Sequence, residues 1–254
     1  MQESRALIVL TPAESKRLIA RAVASLPEVK RALKKGRVVL AGGSTNAFVA
    51  GEILGTKVPA EQYMAGYITG GELKGKSNGP RINPYVLIDG KVEDISPGTA
   101  LADFGPDDVF IKGANAVDPS GKAGVFLGDP SSGTIGKALP VVIARGSHLI
   151  IPVGLEKLVP DVLAAAAECG QGRFKQTTGI PVGLMPLVTG KVVTETVALE
   201  TMFGVKAMLV AAGGIGGSEG SVCIVITGEE GAVDDAMRVV RGLKGEPAVK
   251  APGE

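Results

Sequence analysis

Tryptophan is absent from the 254 residues, histidine occurs once and cysteine twice. Each shortage removes a class of function. With aromatics at 4 %, little is left to build the stacking platforms of single-strand nucleic-acid binders. Two cysteines, Cys169 and Cys223, cannot close a zinc site by themselves and fit a reducing compartment. A Ser-His-Asp mechanism or a His-rich metal site would have to pass through His148 alone. That residue opens the run Leu149-Ile150-Ile151 and reads as the start of a buried strand. No apolar run approaches the ~18 residues of a membrane span. Ala6 to Leu10 is too short for the core of a signal peptide. A net charge of +1 gives no global field directed at DNA or a membrane. The expectation is a cytoplasmic chain with neither nucleic acid nor membrane among its partners.

What is present is an ordinary globular composition, 45 % apolar and 21 % charged, with an excess of glycine at 37 residues. Thr11-Pro12-Ala13-Glu14 is a capping box with Pro at the first helical position. Leu18, Ile19, Ala22 and Val23 then follow helical spacing, and a second short helix runs from Pro27 to about Lys35. The basic cluster Lys30, Arg31, Lys34, Lys35 and Arg37 complements the dipole at that helix end. Val38 to Leu40 reads as a buried strand that runs through glycines into a helix, the opening of a βαβ unit. Strands are expected at Tyr63 to Thr69, at Tyr85 to Ile88 and Lys91 to Ile95 around an Asp89-Gly90 turn, at Val109 to Lys112, and at Leu149 to Val153. Helices are expected at Thr134 to Arg145 and Val162 to Cys169. Gly170 to Pro186 reads as a linker, and a smaller α+β segment follows. The fold class is therefore α/β: a Rossmann-like, open, mostly parallel sheet with helices on both faces over residues 1–170, plus a small C-terminal α+β unit over 171–254.

Two glycine-rich motifs are deceptive. Gly70-Gly71-Glu72-Leu73-Lys74-Gly75-Lys76-Ser77 matches a phosphate-loop pattern, but Asn78-Gly79-Pro80 follows where that loop needs a helix. Gly213 to Gly220 lacks the last glycine of a dinucleotide fingerprint and lies between strands, so it reads as a hairpin loop. The better candidate is Gly42-Gly43-Ser44-Thr45-Asn46. It joins a strand to a helix, so free amides and the helix dipole favour an anion. Lys112-Gly113-Ala114-Asn115-Ala116-Val117-Asp118 ends a second strand, and Ser132-Gly133-Thr134 starts a further helix with Lys137 one turn in. In open α/β sheets ligands sit beyond the carboxyl ends of strands, so these segments can share one crevice.

In this order the motifs resemble the superfamily of ribose-5-phosphate isomerase A, methylthioribose-phosphate isomerase, CoA transferases and the lactate-utilisation domain. The likeness spans roughly residues 10–170. Leu40 to Thr45 looks like its phosphate loop, Asp108 to Asp118 like its second-site strand, and Gly133 to Lys137 like the following turn. His148 to Val159, with Glu156-Lys157, is similar to a strand-plus-Glu-Lys segment of the lactate-utilisation domain. The resemblance implies a sugar-phosphate isomerase-like or CoA transferase-like enzyme on a small phosphorylated or carboxylated metabolite, with no cofactor or metal and a homo-oligomeric assembly. Its candidate catalytic residues are Lys112, Asp118 and Lys137. Gly42, Gly43, Ser44, Thr45, Asn46, Gly113, Asn115, Ser132, Gly133 and Thr134 would bind the ligand. Asn115 stands where those isomerases carry a carboxylate, and Ile135-Gly136-Lys137 holds no acid. Asn cannot take up a proton at neutral pH. The alternative is thus a ligand-binding or regulatory module that lost its catalytic carboxylates.

Overall fold

The computed structural model describes residues 3–75 and 79–253. It opens with β1 (Glu3–Leu10), α1 (Pro12–Ser25) and α2 (Pro27–Lys34). The capping box at Thr11 is formed in both directions, Glu14 N–H to Thr11 Oγ1 and Thr11 N–H to Glu14 Oε2. β2 (Arg37–Leu40) leads through Gly42-Gly43 into α3 (Ser44–Leu54), followed by the single turn α4 (Ala60–Tyr63). Two hairpins come next, β3 (Tyr67–Thr69) with β4 (Glu72–Lys74), and β5 (Tyr85–Ile88) with β6 (Lys91–Glu93). Then come α5 (Pro97–Ala102), β7 (Val109–Ile111), β8 (Ala116–Val117), β9 (Ala123–Leu127), α6 (Gly133–Arg145), β10 (His148–Pro152) and α7 (Val162–Glu168). The last part holds β11 (Gly183–Leu187), β12 (Lys191–Val193), α8 (Glu195–Phe203), β13 (Lys206–Gly213), β14 (Ser221–Glu229) and α9 (Glu230–Arg241).

The main sheet has the order β12-β10-β7-β2-β5-β6. The pairs β2/β7, β7/β10 and β10/β12 are parallel, and β5 and β6 complete the sheet antiparallel. The central strands are continuous apolar runs, Val38 to Leu40, Val109 to Ile111 and Leu149 to Ile151, as burial on both faces demands. From β2 the chain moves to β5 on one side and later to β7 on the other. The order of the sheet therefore reverses at β2, and its carboxyl edge there is the place where such sheets open a crevice. Helix α1 packs on α3 and α8, while α5 packs on α6 and against β2 and β5. At the turn between β5 and β6, Asp89 and Gly90 both take positive φ, +49° and +78°, the geometry that selects this dipeptide.

Several elements depart from the sequence-based expectation. Tyr63 closes α4 instead of opening a strand, and only Tyr67–Thr69 is extended. The stretch read as a linker contains β11, which pairs antiparallel with β9 from Gly183↔Leu127 to Leu187↔Ala123. Pro186 is tolerated there because β11 is the edge of the small β11-β9-β8 sheet. The sheets also cross residue 170. β12 continues the main sheet beyond β10, and β1 pairs with β14 along its whole length, Glu3↔Glu229 to Leu10↔Val222, in the sheet β1-β14-β13. The phosphate-loop mimic is the β3–β4 hairpin, with Gly70 and Gly71 at its turn (φ +58° and +77°). Its Lys76 and Ser77 lie outside the described residues. Gly213 to Gly220 joins β13 to β14 as a hairpin connection.

Candidate functional site

The carboxyl ends of β2 and β7 are tied together by one side chain. Asn46, in the first turn of α3 and wholly buried, donates from Nδ2 to Ala41 O at 2.7 Å and to Ile111 O at 3.0 Å. With both donors used on the strand ends, its Oδ1 has no partner. That oxygen faces Gly113, where an added β-carbon would lie 3.8 Å from it. Gly42 is required on the other side of the loop, since a β-carbon would come within 2.8 Å of Tyr63 O. Tyr63 fixes the loop further: its hydroxyl donates to Leu40 O at 2.6 Å and accepts from Tyr85 N at 3.1 Å. Gly43 is the N-cap of α3 and Ser44 and Thr45 follow, with no side chain capping the helix. The first amides of an eleven-residue helix are left for another acceptor.

Lys112 directly follows β7. Its Nζ donates to Gly113 O at 3.2 Å and, among the described residues, lies in no ion pair. Burial, and secondarily the nearby charge of Lys157, push its amine down to about 8. Lys157 follows β10 and donates to Ala114 O at 3.2 Å, so both lysines converge on one short loop. Burial and Lys16 lower the Lys157 amine, while Glu156 and Glu195 hold it up.

The ends of β10 and β12 hold a buried ionic cluster. Glu156 Oε1 lies 3.4 Å from Lys16 Nζ and 3.9 Å from Lys157 Nζ. Glu156 Oε2 has no partner and is folded against Gly154, where a β-carbon would collide with it. Glu195, the first residue of α8, is fully buried. Its Oε2 accepts from Leu155 N at 2.8 Å, and its Oε1 has no partner. Burial first, and then the charge of Glu156, raise the Glu195 carboxyl to about 7. The adjacent Ser15 hydroxyl is buried against the Glu195 carboxyl and, with Leu155 N, partly offsets the rise. A carboxyl raised to about 7 beside an amine lowered to about 8 and a second amine also lowered by burial has the chemistry of proton transfer near neutral pH.

The other expected residues are placed differently. Asp118 is buried, but its carboxylate is already committed. Oδ1 accepts from Ser120 N, Ser120 Oγ and Lys122 N, and Oδ2 accepts from Val162 N at 3.0 Å. These bonds outweigh burial and hold it down at about 2, which makes it the organiser of its turn and a poor base. Asn115 Oδ1 accepts from Phe126 N at 3.0 Å and stitches the loop to β9. Ser132 takes φ +64° and Gly133 φ +56° at the start of α6, with Thr134 next. Lys137 is exposed, and no hydrogen bond or ion pair joins it to Lys112, Asn46 or Glu195 among the described residues. Thus Gly42 to Asn46, Lys112 and Gly113 are brought together, and Lys137 and the Ser132–Thr134 turn have no recorded contact with them.

Lys16, Ser15 and Glu195 are absent from the sequence-derived candidates. Thr194-Glu195 stands at the end of an apolar strand and before a helix, the same arrangement as Gly42 to Asn46. In sequence that strand reads as part of a separate C-terminal unit, and only its pairing with β10 brings Glu195 to this edge. Lys16 carries no signal, since its position on α1 reads as the solvated face. Two clefts lie elsewhere. One of about 440 Å³ runs between α3 and the C-terminal tail, lined by Arg17, Phe48, Lys57 and Val249. Another of about 400 Å³ is at the opposite edge of the sheet, beside Arg37 and Asp108. Among the described residues no helix is long and apolar enough to cross a membrane, and no group of three or more His, Cys, Asp or Glu is gathered to hold a metal. Comparison with family models, with curated proteins and with solved structures gave no match.

Proposed function

We propose that the protein binds a small phosphorylated or carboxylated metabolite at the carboxyl ends of β2, β7, β10 and β12, and acts on it as an isomerase-like or transferase-like enzyme. The anion rests on the first amides of α3, with Lys112 beside it. Glu195 is the group that holds or moves a proton, the carboxylate that the sequence motifs lacked. One observation carries this reading: buried acceptor oxygens on Asn46, Glu156 and Glu195 lack a donor among the described residues at this edge of the sheet, where hydroxyl groups of a ligand or ordered water would donate to them while the α3 amides and Lys112 take its anion. Buried polar groups are ordinarily paired, so a cluster of unpaired ones marks where a ligand or ordered water completes the bonding. The resemblance to the ribose-5-phosphate isomerase A and CoA transferase superfamily is consistent with it.

The second reading, a binder without catalysis, is favoured by the commitment of Asp118 to its own turn. The homo-oligomer belongs to both readings, and Leu7, Val9 and Met208 stand exposed on the β1-β14-β13 sheet as candidate contacts. The test is a thermal-shift titration with inorganic phosphate, sugar phosphates and small carboxylates, using the wild type and Ser44→Asp. An acid in the first turn of a helix is tolerated or stabilising, so the variant should fold. It should lose the ligand-induced rise in Tm that the wild type shows. Equal shifts in both proteins would remove the anion from α3. Turnover of a bound compound, lost in Glu195→Gln with binding kept, separates the enzyme from the binder.

A further inference from the structure

The cations at this edge of the sheet are not equivalent. Lys16 and Lys157 both lie within 4 Å of the Glu156 carboxylate, at 3.4 Å and 3.9 Å. Lys112 has no such partner among the described residues. Its Nζ donates to the carbonyl of its own neighbour, Gly113. It follows the last residue of β7, a central strand, so its backbone is fixed by the sheet. Lys112 N–H donates to Ile150 O at 3.0 Å. The side chain stays partly exposed while Lys157, a second cation, is anchored on the next residue of the same loop. A lysine kept for charge pairing is placed beside a carboxylate. A lysine kept for nucleophilic work is placed away from one, desolvated, and next to another cation.

We infer that Lys112 forms an imine with the carbonyl group of an anionic oxo compound, an oxo acid or a phosphorylated aldehyde or ketone, whose anion sits on the first turn of α3. This deepens the proposed function and rests on it for the anion seat. In the first step the neutral Nζ attacks the carbonyl carbon and the C=O π pair moves to oxygen. That oxygen takes up a proton, nitrogen loses one, and a carbinolamine results. The hydroxyl is then protonated and leaves as water, and the nitrogen lone pair closes the C=N bond. The product is an iminium, and loss of its N–H proton gives the neutral imine, so two protons are gained, two are lost and water is the only product released. Solvent water supplies and recovers the protons. The position of the amine near 8 supports this assignment, because a useful fraction of Lys112 is neutral at pH 7.

The experiment is reductive trapping. The protein is incubated with glyoxylate and cyanoborohydride at pH 7, and the modified lysines are mapped by peptide mass spectrometry. Propanal serves as the uncharged control. Lys112 should be labelled on the order of tenfold faster than the exposed lysines, given the ordinary lysine value near 10.4. The preference should shrink with propanal and under competition by inorganic phosphate. Lys157→Gln keeps a donor for Ala114 O and removes the neighbouring charge, and labelling of Lys112 should fall several-fold in it. Labelling spread evenly over exposed lysines, with Lys112 no faster, overturns the imine. If phosphate still raises Tm in that case, the anion site stands without it. Selective labelling that phosphate does not compete with keeps the nucleophile and overturns the anion seat.

Discussion

The two edges of the parallel sheet treat buried polar groups in opposite ways. At the amino edge, Asp108 precedes β7 and is buried with every bond made. Its Oδ1 accepts from Arg37 N at 2.6 Å, its Oδ2 accepts from Gly105 N at 2.7 Å, and the Arg37 guanidinium stands 3.6 Å from Oδ2. Asp89 accepts from Gly36 N at 2.8 Å beside it. At the carboxyl edge Asn46, Glu156 and Glu195 each make some bonds and leave one buried oxygen empty. The first edge is a clamp between strand starts. The second keeps unspent hydrogen-bonding capacity, at a cost in stability, where the sheet order reverses. The same contrast separates two single residues: Asp118, where the bonds outweigh burial, lies near 2, and Glu195, where burial and the charge of Glu156 outweigh the bonds, lies near 7.

The largest effect should come from breaking the clamp. Asp108→Ala leaves the amides of Arg37 and Gly105 buried without acceptors and should cost about 4 kcal/mol by urea denaturation. Ligand-induced shifts in Tm should survive in whatever still folds. A loss under 1 kcal/mol would mean that the amino edge is not the structural one.

Glu195→Gln should act in the other direction. The carboxyl is held above its ordinary 4.5, at about 7, by burial and Glu156. Below pH 4.5 it is protonated in both the folded and unfolded chain and costs nothing. Between about 4.5 and 7 the unfolded chain ionises first, so the wild type loses stability, up to roughly 3 kcal/mol by linkage. The amide still accepts from Leu155 N and pays no such penalty. The variant should therefore gain on the wild type as pH rises from 4.5 to 7, and the gap should stay level above that. Parallel stability curves from pH 4 to 8 would show that Glu195 is not perturbed.

The fold was largely legible because its signals are local. The capping box at Thr11, the Asp89-Gly90 turn and the apolar strands at Val38 and Val109 each depend on adjacent residues. The strand-to-helix turn at Gly42 to Asn46 was legible for the same reason, as glycines between a strand and a helix. Glu195 was not, because its importance lies in the parallel pairing of Val193 with Pro152, residues far apart in sequence. Nothing near Lys191 to Val193 announces that three residues will extend the main sheet and carry the following acid to the site. Asp118 shows the converse. An acid at a strand end before Pro119 suits either a base or a turn former, and the four donors around it decide for the turn.

Asn46→Ala tests whether the carboxyl edge is also partly a clamp. Ala41 O and Ile111 O lose their shared donor, so stability should fall by about 2 kcal/mol. Unlike Asp108→Ala, this variant should also lose phosphate-induced stabilisation, because the first turn of α3 is no longer held against β7. Calorimetric titration with phosphate on the folded variant checks this, and unchanged affinity would remove Asn46 from the site.

The smallest effect on stability, and the sharpest comparison, is expected from Gly154→Ala. Gly154 has φ −78° and ψ 147°, a conformation open to alanine, so the backbone has no need to change. The nearest atoms that the new methyl meets are those of the Glu156 carboxylate, the far end of a flexible side chain. Stability should change by under about 1 kcal/mol. The carboxylate must swing away, however, and Lys16 and Lys157 lose the group that they share. Glu195 then loses the neighbouring negative charge that helps to raise it. Its carboxyl should move back toward the ordinary range, and the stability lost between pH 4.5 and 7 should shrink compared with the wild type. Stability curves of Gly154→Ala, Glu195→Gln and the double variant read this directly. If Glu156 and Glu195 are coupled, the two changes will not add. Additive effects would make them separate structural residues and leave Glu195 perturbed by burial alone.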